Sequence, residues 1–421
     1  MPFLCLSVRV RRIPNVSINM KRILLLTNIY PAKDIPNGYT PVVHYFAREW
    51  VKMGYEVRVI DYDINFPSWL YVLVRPFNKK IASHIGCVVK TSAIKDLKYV
   101  MDAVRVQRIV MTKLKPHSLC SESELKKAFD KSLAFLIAEG FFPDVILSHW
   151  NNPCLDLMAR LKGVYKVPTC YVSHGGFFQI YGNRAKELYE SVDVVGCRSN
   201  YIRLQFEELY GKQKPTFNCY SGIPEDYVDS NRKRSFNGIK NFIYVGTLIS
   251  RKYPSVIIPS LAKVYGMDDF TLSYIGEGNE KEVILKTAKC CGVSDRVHLL
   301  GRVPREQVVD QLDKNDVFVM ISKGEAFGLV YLEAMSRGCI TIASKKGGFD
   351  GIIQDGVNGF LCEAGNSEDL ARIISKVRNL STDELQQISD NAIKTSCELT
   401  DAKAAKRYIE NVIELTNLED S

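Results

Sequence analysis

The chain has 421 residues, of which 46% are hydrophobic and 24% charged, and its formal net charge is +9. This composition argues against a disordered protein and suffices for ordinary cores in about two domains. No apolar run approaches the roughly 20 residues that span a bilayer. The twelve cysteines include no C-x-x-C spacing, so neither a zinc site nor a disulfide framework is predicted, and the pattern fits a reducing, cytoplasmic compartment.

Residues 1–19 are predicted to be a disordered extension or one that is absent from the natural protein. Their arginines follow the apolar patch, and they contain no small-residue cleavage site, which argues against a signal peptide. The segment MKRILLLTNIYP, which starts at Met20, is typical of a buried first strand. We therefore expect translation to start at Met20.

Residues 20–222 are predicted to form an N-terminal α/β domain, because short apolar runs alternate there with amphipathic stretches. Two helices are predicted, Val42–Met53 and Ser121–Glu139, the second with a capping signal from Ser121 and Glu124. The predicted strands are Arg22–Thr27, Glu56–Asp61, Val145–Ser148, Thr169–Ser173 and Val194–Cys197.

The charge is concentrated in the first half, with roughly +12 over residues 1–200 and roughly −3 over the remainder. Between residues 69 and 115 a cluster of basic residues follows the aromatic residues Trp69 and Phe77. Only Asp96 and Asp102 oppose it within that stretch. The stretch fits either a surface that touches anionic lipid at an inner membrane face or an ordinary solvated helical face. A nucleic-acid partner is not predicted, since no reading motif accompanies the charge.

Residues 223–239 are polar and lose apolar periodicity, so they are predicted to be a linker. A second α/β domain is predicted over residues 240–400, followed over 401–421 by a helix that packs back on the first domain. One face of that helix carries Ala404, Tyr408, Val412 and Leu415. The predicted strands of the second domain are Asn241–Val245, Thr271–Ile275, Val297–Leu300, Val317–Ile321 and Ile340–Ala343.

The most informative motif is SKGEAFGLVYLEAMSRG, residues 322–338, which follows a predicted buried strand and runs into a helix. Unpaired amides at such a helix start face anions, so Phe327, Gly328 and Leu329 are candidates to bind a phosphate-bearing ligand. Glu325 and Glu333 can accept hydrogen bonds from sugar or ribose hydroxyls. By spacing alone they fit two solvated surface acids equally well.

The run from Tyr274 to Gly365 resembles the C-terminal domain of family 4 (group 1) retaining glycosyltransferases of the GT-B fold. The matching pieces keep the family's order and spacing. They are YIGEG, SDRVHLLGRVP, VFVMIS, GEAFGLVYLEAM, ASKKGG and DGVNGFLCEAGN. The resemblance implies two Rossmann-like, doubly wound domains that face each other across a cleft, the first binding the acceptor and the second a nucleotide-sugar donor.

The resemblance also implies roles for individual residues. Glu325 contacts the transferred sugar, Glu333 holds the ribose, and Lys252 grips the diphosphate, while Thr247 replaces the family's arginine and neighbouring Arg251 can supply its charge. His174 takes the position near the reacting centre. The alternative interpretations are a solvated turn for Arg251 and Lys252 and a structural histidine for His174. The remaining donor-binding positions are Gly38, Gly246, Gly276, Val303, Ala326, Phe327, Gly328 and Leu329.

The implied reaction transfers a hexose-type sugar to a glycan or lipid-linked acceptor, without a metal or other cofactor, in surface polysaccharide or glycolipid synthesis. Retention of configuration is implied by the family. Two alternatives are a nucleotide-sugar epimerase of similar fold and a non-catalytic nucleotide-sugar-binding protein. A metal-holding D-x-D pair at Asp61 and Asp63, just after the second predicted strand, is a weaker alternative.

Overall fold

The computed structural model describes residues 21–35, 41–78, 81, 90–115, 118–175 and 178–417. The predicted extension over residues 1–19 lies outside these residues. Two sheets organise the chain, one of eight strands and one of six. The α/β class predicted from the alternating pattern is confirmed.

The first sheet has the strand order β3-β4-β2-β1-β5-β6-β7-β8, and all neighbours are parallel except β3 and β4. Alternate residues of β1 enter two core clusters, Leu24 and Leu26 on one face and Ile23 and Leu25 on the other. Burial on both faces explains why this strand is apolar throughout. The strands are β1 (Arg22–Thr27), β2 (Glu56–Asn65), β3 (Leu97–Met101), β4 (Val104–Thr112), β5 (Val145–His149), β6 (Thr169–Ser173), β7 (Val194–Cys197) and β8 (Thr216–Asn218).

The α-helices described in this half lie between those strands along the chain. Ser121 caps one of them, since its side chain accepts a hydrogen bond from the Glu124 amide. The capping signal in the sequence therefore marks that helix start correctly. These helices are α1 (Val42–Lys52), α2 (Ser68–Val74), α3 (Glu122–Ala138), α4 (Cys154–Tyr165), α5 (Ala185–Glu190) and α6 (Asn200–Tyr210).

The second sheet is wholly parallel, with the order β11-β10-β9-β12-β13-β14. This is the doubly wound order, in which the sequence direction reverses between β9 and β12, and ligands of such sheets bind at the carboxyl ends beside that reversal. The strands are β9 (Asn241–Val245), β10 (Thr271–Ile275), β11 (Val297–Gly301), β12 (Val317–Met320), β13 (Ile340–Ser344) and β14 (Phe360–Cys362). The helices are α7 (Ile257–Tyr265), α8 (Lys281–Cys290), α9 (Arg305–Lys314), α10 (Leu329–Ser336), α11 (Ser367–Arg378), α12 (Thr382–Cys397) and α13 (Asp401–Asn417).

The chain crosses between the two halves twice, and the crossings are hydrogen-bonded to each other. The Ile223 amide donates to the Leu399 carbonyl at 3.0 Å, and the Asp401 amide donates to the Ile223 carbonyl at 2.8 Å. A Cβ on Gly222 would lie 2.2 Å from the carbonyl carbon of Thr400. A side chain at position 222 would therefore separate the crossings.

After the second crossing, α13 packs against α1 of the first half. Ala405 accepts a hydrogen bond at 2.8 Å from the indole nitrogen of Trp50, which is fully buried. Tyr408 lies edge-on to Trp50 with ring centroids 5.1 Å apart. The core on this face of the first sheet is therefore completed by residues that follow the second sheet in the chain.

Part of the basic stretch over residues 69–115 is not helical. Strands β3 and β4 form a hairpin there, so a solvated helical face is the wrong description of residues 97–112. Acids from elsewhere in the chain neutralise several of its cations. Lys98 and Arg105 pair with Glu139, and Arg108 pairs bidentately with Asp34. Because these acids are distant in sequence, counting only Asp96 and Asp102 overstated the exposed positive charge.

Candidate functional site

The turn between β12 and α10 holds the best-formed candidate site. Gly328 caps α10 with φ 85°, a left-handed conformation that favours glycine. A Cβ there would lie 2.7 Å from the Tyr331 ring. No described residue accepts a hydrogen bond from the amides of Phe327, Gly328 or Leu329. The turn therefore presents the positive end of a helix with donors available to an anion.

Two cations face this turn from the loop after β9. The Lys252 ammonium lies 3.1 Å from the Glu325 carboxylate, and the Arg251 guanidinium lies 3.8 Å from the same oxygen. Lys252 is largely buried, whereas half of the Arg251 side chain is exposed. The Lys323 amide donates to the Arg251 carbonyl at 2.8 Å, which ties the two loops together. The predicted residues Lys252, Arg251 and Glu325 thus form one cluster.

Glycines let the loops after β9 and β10 approach each other. A Cβ on Gly276 would lie 1.9 Å from the Gly246 carbonyl oxygen. The amide of Gly246 donates to Ile275 and that of Gly276 donates to Gly301, at 2.9 and 2.8 Å. These two amides are thus used within the protein, and the glycines serve loop packing. The Thr247 carbonyl accepts a hydrogen bond from the Tyr244 hydroxyl at 3.0 Å.

Glu333 is held by an arginine that the sequence did not single out. The Arg305 Nε and Nη2 atoms lie 3.0 and 2.6 Å from Oε1 of Glu333. Arg305 also donates to the Tyr45 hydroxyl at 3.0 Å, and Tyr45 lies on α1 of the other half. Its guanidinium stands over the Tyr227 ring, 5.1 Å from the ring centroid. The predicted ribose-binding carboxylate is therefore linked across the two halves.

His174, the candidate from the first half, belongs to an aromatic cluster at the carboxyl ends of β5 and β6. Its Nε2 lies 3.0 Å from Nδ1 of His149, and the Trp150 ring stacks on it at 3.7 Å. Trp150 has φ 71°, a left-handed conformation that costs a bulky residue on the order of 1–3 kcal/mol. The backbone is strained where it places this ring against His174.

Both histidines of this cluster are neutral near pH 7. Burial, together with the nearby Arg198 guanidinium, holds the pKa of His149 and the pKa of His174 well below the usual value. Arg198 is itself almost fully buried and donates to the Cys219 carbonyl at 2.7 Å and to the Ser221 hydroxyl. A cation so buried disfavours a second positive charge beside it.

Arg198 also connects the cluster around His174 to the turn before α10. Its guanidinium stands 5.4 Å from the centroid of the Phe327 ring. Ala326 packs against a core cluster of the first half, and Leu329 packs against cores of both halves. The turn that carries Glu325 is thus in contact with the half that carries His174.

The two remaining predicted positions are Gly38 and Val303. Gly38 lies outside the residues that the structure describes. Val303 is half-buried and packs against the core of the second half.

The D-x-D alternative is placed incorrectly, because β2 runs to Asn65 and contains both Asp61 and Asp63. Asp63 pairs with Lys90, and burial raises the pKa of the Asp61 carboxyl well above its usual value. A metal-holding pair needs exposed, ionised carboxylates. Among the described residues no group of three or more His, Cys, Asp or Glu side chains is arranged to hold a metal ion.

Comparison with known proteins supports the family suggested by the motifs. Residues 228–395 match the family described as "Glycosyl transferases group 1". An uncharacterised glycosyltransferase of Methanocaldococcus jannaschii is 27% identical over 56% of this chain and 66% of its own length. The N-acetyl-alpha-D-glucosaminyl L-malate synthase of Bacillus anthracis is 31% identical over 43% of this chain and 49% of its own. The matches thus span about half to two thirds of these relatives.

The whole fold matches solved structures. The crystal structure of Anabaena HepE in complex with UDP aligns with a TM-score of 0.65 over 94% of this chain and 100% of that one, at 18% identity. At this identity the match shows the fold, which confirms the predicted two-domain GT-B architecture.

Proposed function

We propose that this chain, which belongs to the group 1 glycosyltransferase family through its C-terminal domain, transfers a hexose-type sugar from a nucleotide diphosphate sugar to a glycan or lipid-linked acceptor. The observation that carries the proposal is the cluster of Lys252, Arg251 and Glu325 at the start of α10. Its cations and free amides suit a diphosphate, while its carboxylate suits sugar hydroxyls.

The reaction requires stabilisation of the negative charge that develops on the departing diphosphate. Lys252, Arg251 and the amides at the start of α10 supply it from fixed positions, which is the arrangement that lowers such a barrier most. A divalent cation is then unnecessary. The acceptor oxygen attacks the sugar on the face from which the diphosphate leaves, and a departing phosphate oxygen takes the acceptor proton, so the configuration is retained. An inverted product would overturn this part of the proposal.

The first test is a thermal-shift screen of the purified protein with UDP, GDP, ADP and their sugars, in the presence of EDTA. We expect one base to stabilise the protein with EDTA present, and Glu333→Ala to weaken that effect. Glu282→Ala, an exposed glutamate of α8, is the control and should behave like the wild type. The absence of a shift with every nucleotide and nucleotide sugar would contradict the proposed donor site. Binding of a nucleotide sugar that is never consumed would favour the non-catalytic alternative. Donor consumption without any acceptor would favour the epimerase.

We further propose that α2 brings the enzyme to an anionic membrane that carries a lipid-linked acceptor. Trp69, Val72, Leu73 and Phe77 are between 59% and 72% exposed. The Lys113 amide and the Tyr71 hydroxyl both donate to Asn65, which places the segment that carries Lys113 beside α2. Exposed apolar side chains beside cations suit the interface of an anionic bilayer. The described chain contains no helix long and apolar enough to cross a membrane.

Vesicle flotation tests this surface. Vesicles with phosphatidylglycerol should bind the wild type, and the double variant Leu73→Ser with Val72→Ser should bind less. Met267→Ser is the matched control, since Met267 is 92% exposed but lies in the other domain. Equal binding of all three proteins, or binding to neutral phosphatidylcholine alone, would contradict the proposal.

A further inference from the structure

A buried chain of hydrogen-bonding groups runs from the C-terminal helix to His174. The Tyr408 hydroxyl on α13 lies 3.3 Å from Nε2 of His149, and Nδ1 of His149 lies 3.0 Å from Nε2 of His174. Tyr408 and His149 are at most 1% exposed. Both ring nitrogens of His149 are therefore engaged, one by the C-terminal helix and one by the candidate site residue.

The directions of these hydrogen bonds follow from the number of protons. A neutral imidazole carries one N–H, so His149 donates through one nitrogen and accepts through the other. The Tyr408 hydroxyl lies within hydrogen-bond distance of Nε2 of His149, and the buried Cys170 thiol also interacts with it. An imidazole nitrogen is a much stronger acceptor than a thiol sulfur. Tyr408 therefore donates to His149.

The remaining protons are then fixed in sequence. Because Nε2 of His149 accepts, its proton lies on Nδ1 and is donated to Nε2 of His174. His174 must then carry its own proton on Nδ1. No described residue accepts a hydrogen bond from Nδ1 of His174, so this N–H is a candidate donor to a ligand.

We infer that Tyr408 and His149 are positioning residues that hold His174 as the Nδ1–H tautomer, so that its Nδ1–H is the donor it can offer to a ligand. The inference rests on the proposed role of His174 in sugar transfer. It gives α13 a function beyond packing, because a residue of the C-terminal helix determines which nitrogen of a site residue can donate. Trp150, stacked on His174, restrains the ring against rotation. The low pKa of both histidines agrees with a chain of neutral groups.

Histidine tautomers can be observed directly by long-range proton–nitrogen NMR on protein labelled with ¹⁵N-histidine. The His174 signals are assigned by their loss in a His174→Gln variant. We expect the wild type to show His174 protonated at Nδ1 and His149 protonated at Nδ1. His174 protonated at Nε2 would overturn the inference.

The variant Tyr408→Phe tests whether the Tyr408 hydroxyl fixes the tautomers of His149 and His174. We expect both tautomers of His149 and His174 to become populated, because phenylalanine cannot donate. The control Tyr62→Phe removes another buried hydroxyl of the same domain, which pairs with Ser132 at 2.8 Å in a different core cluster. It should leave the spectrum unchanged. An unchanged spectrum in Tyr408→Phe would contradict the assignment to Tyr408. Since no nucleotide or acceptor is present, the outcome is separate from that of the transfer assay.

Discussion

The two domains build their halves of the cleft in different ways. In the C-terminal domain, the loops after β9, β10 and β12 meet through their backbones, with Gly276 in contact with Gly246 and Gly328 at the start of α10. In the N-terminal domain, the cleft side near His174 is made of packed side chains from β5, β6, β7 and α13. Loops that meet through their backbones require glycines at fixed spacings, which can be recognised in the sequence. Packed side chains from distant elements produce no such sequence pattern.

Because of this difference, we expect the two domains to be sensitive to different substitutions. The candidate site of the C-terminal domain depends on short segments of chain, so we expect its function to be lost through single substitutions at the turn before α10. The core of the N-terminal half depends on α13, a helix that follows the other domain in the sequence. Its integrity should be sensitive to the contact between α1 and α13.

The largest effect is expected from Trp50→Ala. Trp50 is fully buried and joins α1 to α13, and such truncations cost about 3–5 kcal/mol of the free energy of unfolding. Urea unfolding should show the loss in the transition of the N-terminal domain. Trp69→Ala, at an exposed position, should change stability by about 0.5 kcal/mol or less. Equal losses in the two variants would contradict the role of α13.

Lys252→Ala should lower kcat by about 10²–10³-fold, since it removes a preorganised charge from the leaving diphosphate. Arg251→Ala should have a smaller effect, because half of that side chain is exposed and it lies farther from Glu325. Initial rates at saturating donor measure both. Lys263→Ala, at an exposed lysine paired with Glu368, is the control. A larger loss in Arg251→Ala would show that Arg251 compensates for Thr247.

Arg305→Met should weaken nucleotide binding by about 10–100-fold, because hydrogen bonds to charged groups contribute about 1.5–3 kcal/mol and Glu333 would lose the group that orients it. Tyr45→Phe removes only the link to the other domain and should cost about tenfold or less. Isothermal titration with the nucleotide found in the screen measures both. Tighter binding in Arg305→Met would mean that Arg305 competes with the ribose for Glu333.

Stability should also depend on pH at the second crossing. Burial raises the pKa of the Asp401 carboxyl to about 6, with Arg48 opposing the rise. The folded state then holds this proton more tightly than the unfolded state, so stability falls as the pH rises from about 4 to about 6, by up to about 3 kcal/mol. Asp401→Asn should flatten this slope in urea midpoints. Asp295→Asn, at an exposed position, should preserve it.

Much of the fold could be predicted because buried parallel strands are continuous apolar runs. Thr169–Ser173 and Asn241–Val245, for example, have the predicted bounds. The hairpin of β3 and β4 was not predicted. The positive charge of its segment was overstated, because the sequence does not reveal that Glu139 and Asp34 lie beside it.

The candidate site shows the same limit. The segment with Glu325 and the position of Lys252 carry family motifs, and the structure brings them together. Arg305 follows a proline at a helix start and has no distinguishing neighbour in the sequence. Its pairing with Glu333 and Tyr45 arises only when three elements meet. Motifs can therefore locate loops, while contacts between elements require coordinates.

The return of α13 to the first domain has a consequence for synthesis on the ribosome. Residues 22–218 emerge first, but the core on one face of their sheet includes Ala405, Tyr408 and Val412. Until those residues are made, the part of that apolar face that α13 covers stays exposed while the whole second domain is translated. Nascent chains expose such surfaces to aggregation. Separating the two domains by a cut in the linker would leave the first without its covering helix, so a fragment meant to isolate it should also supply residues 401–417.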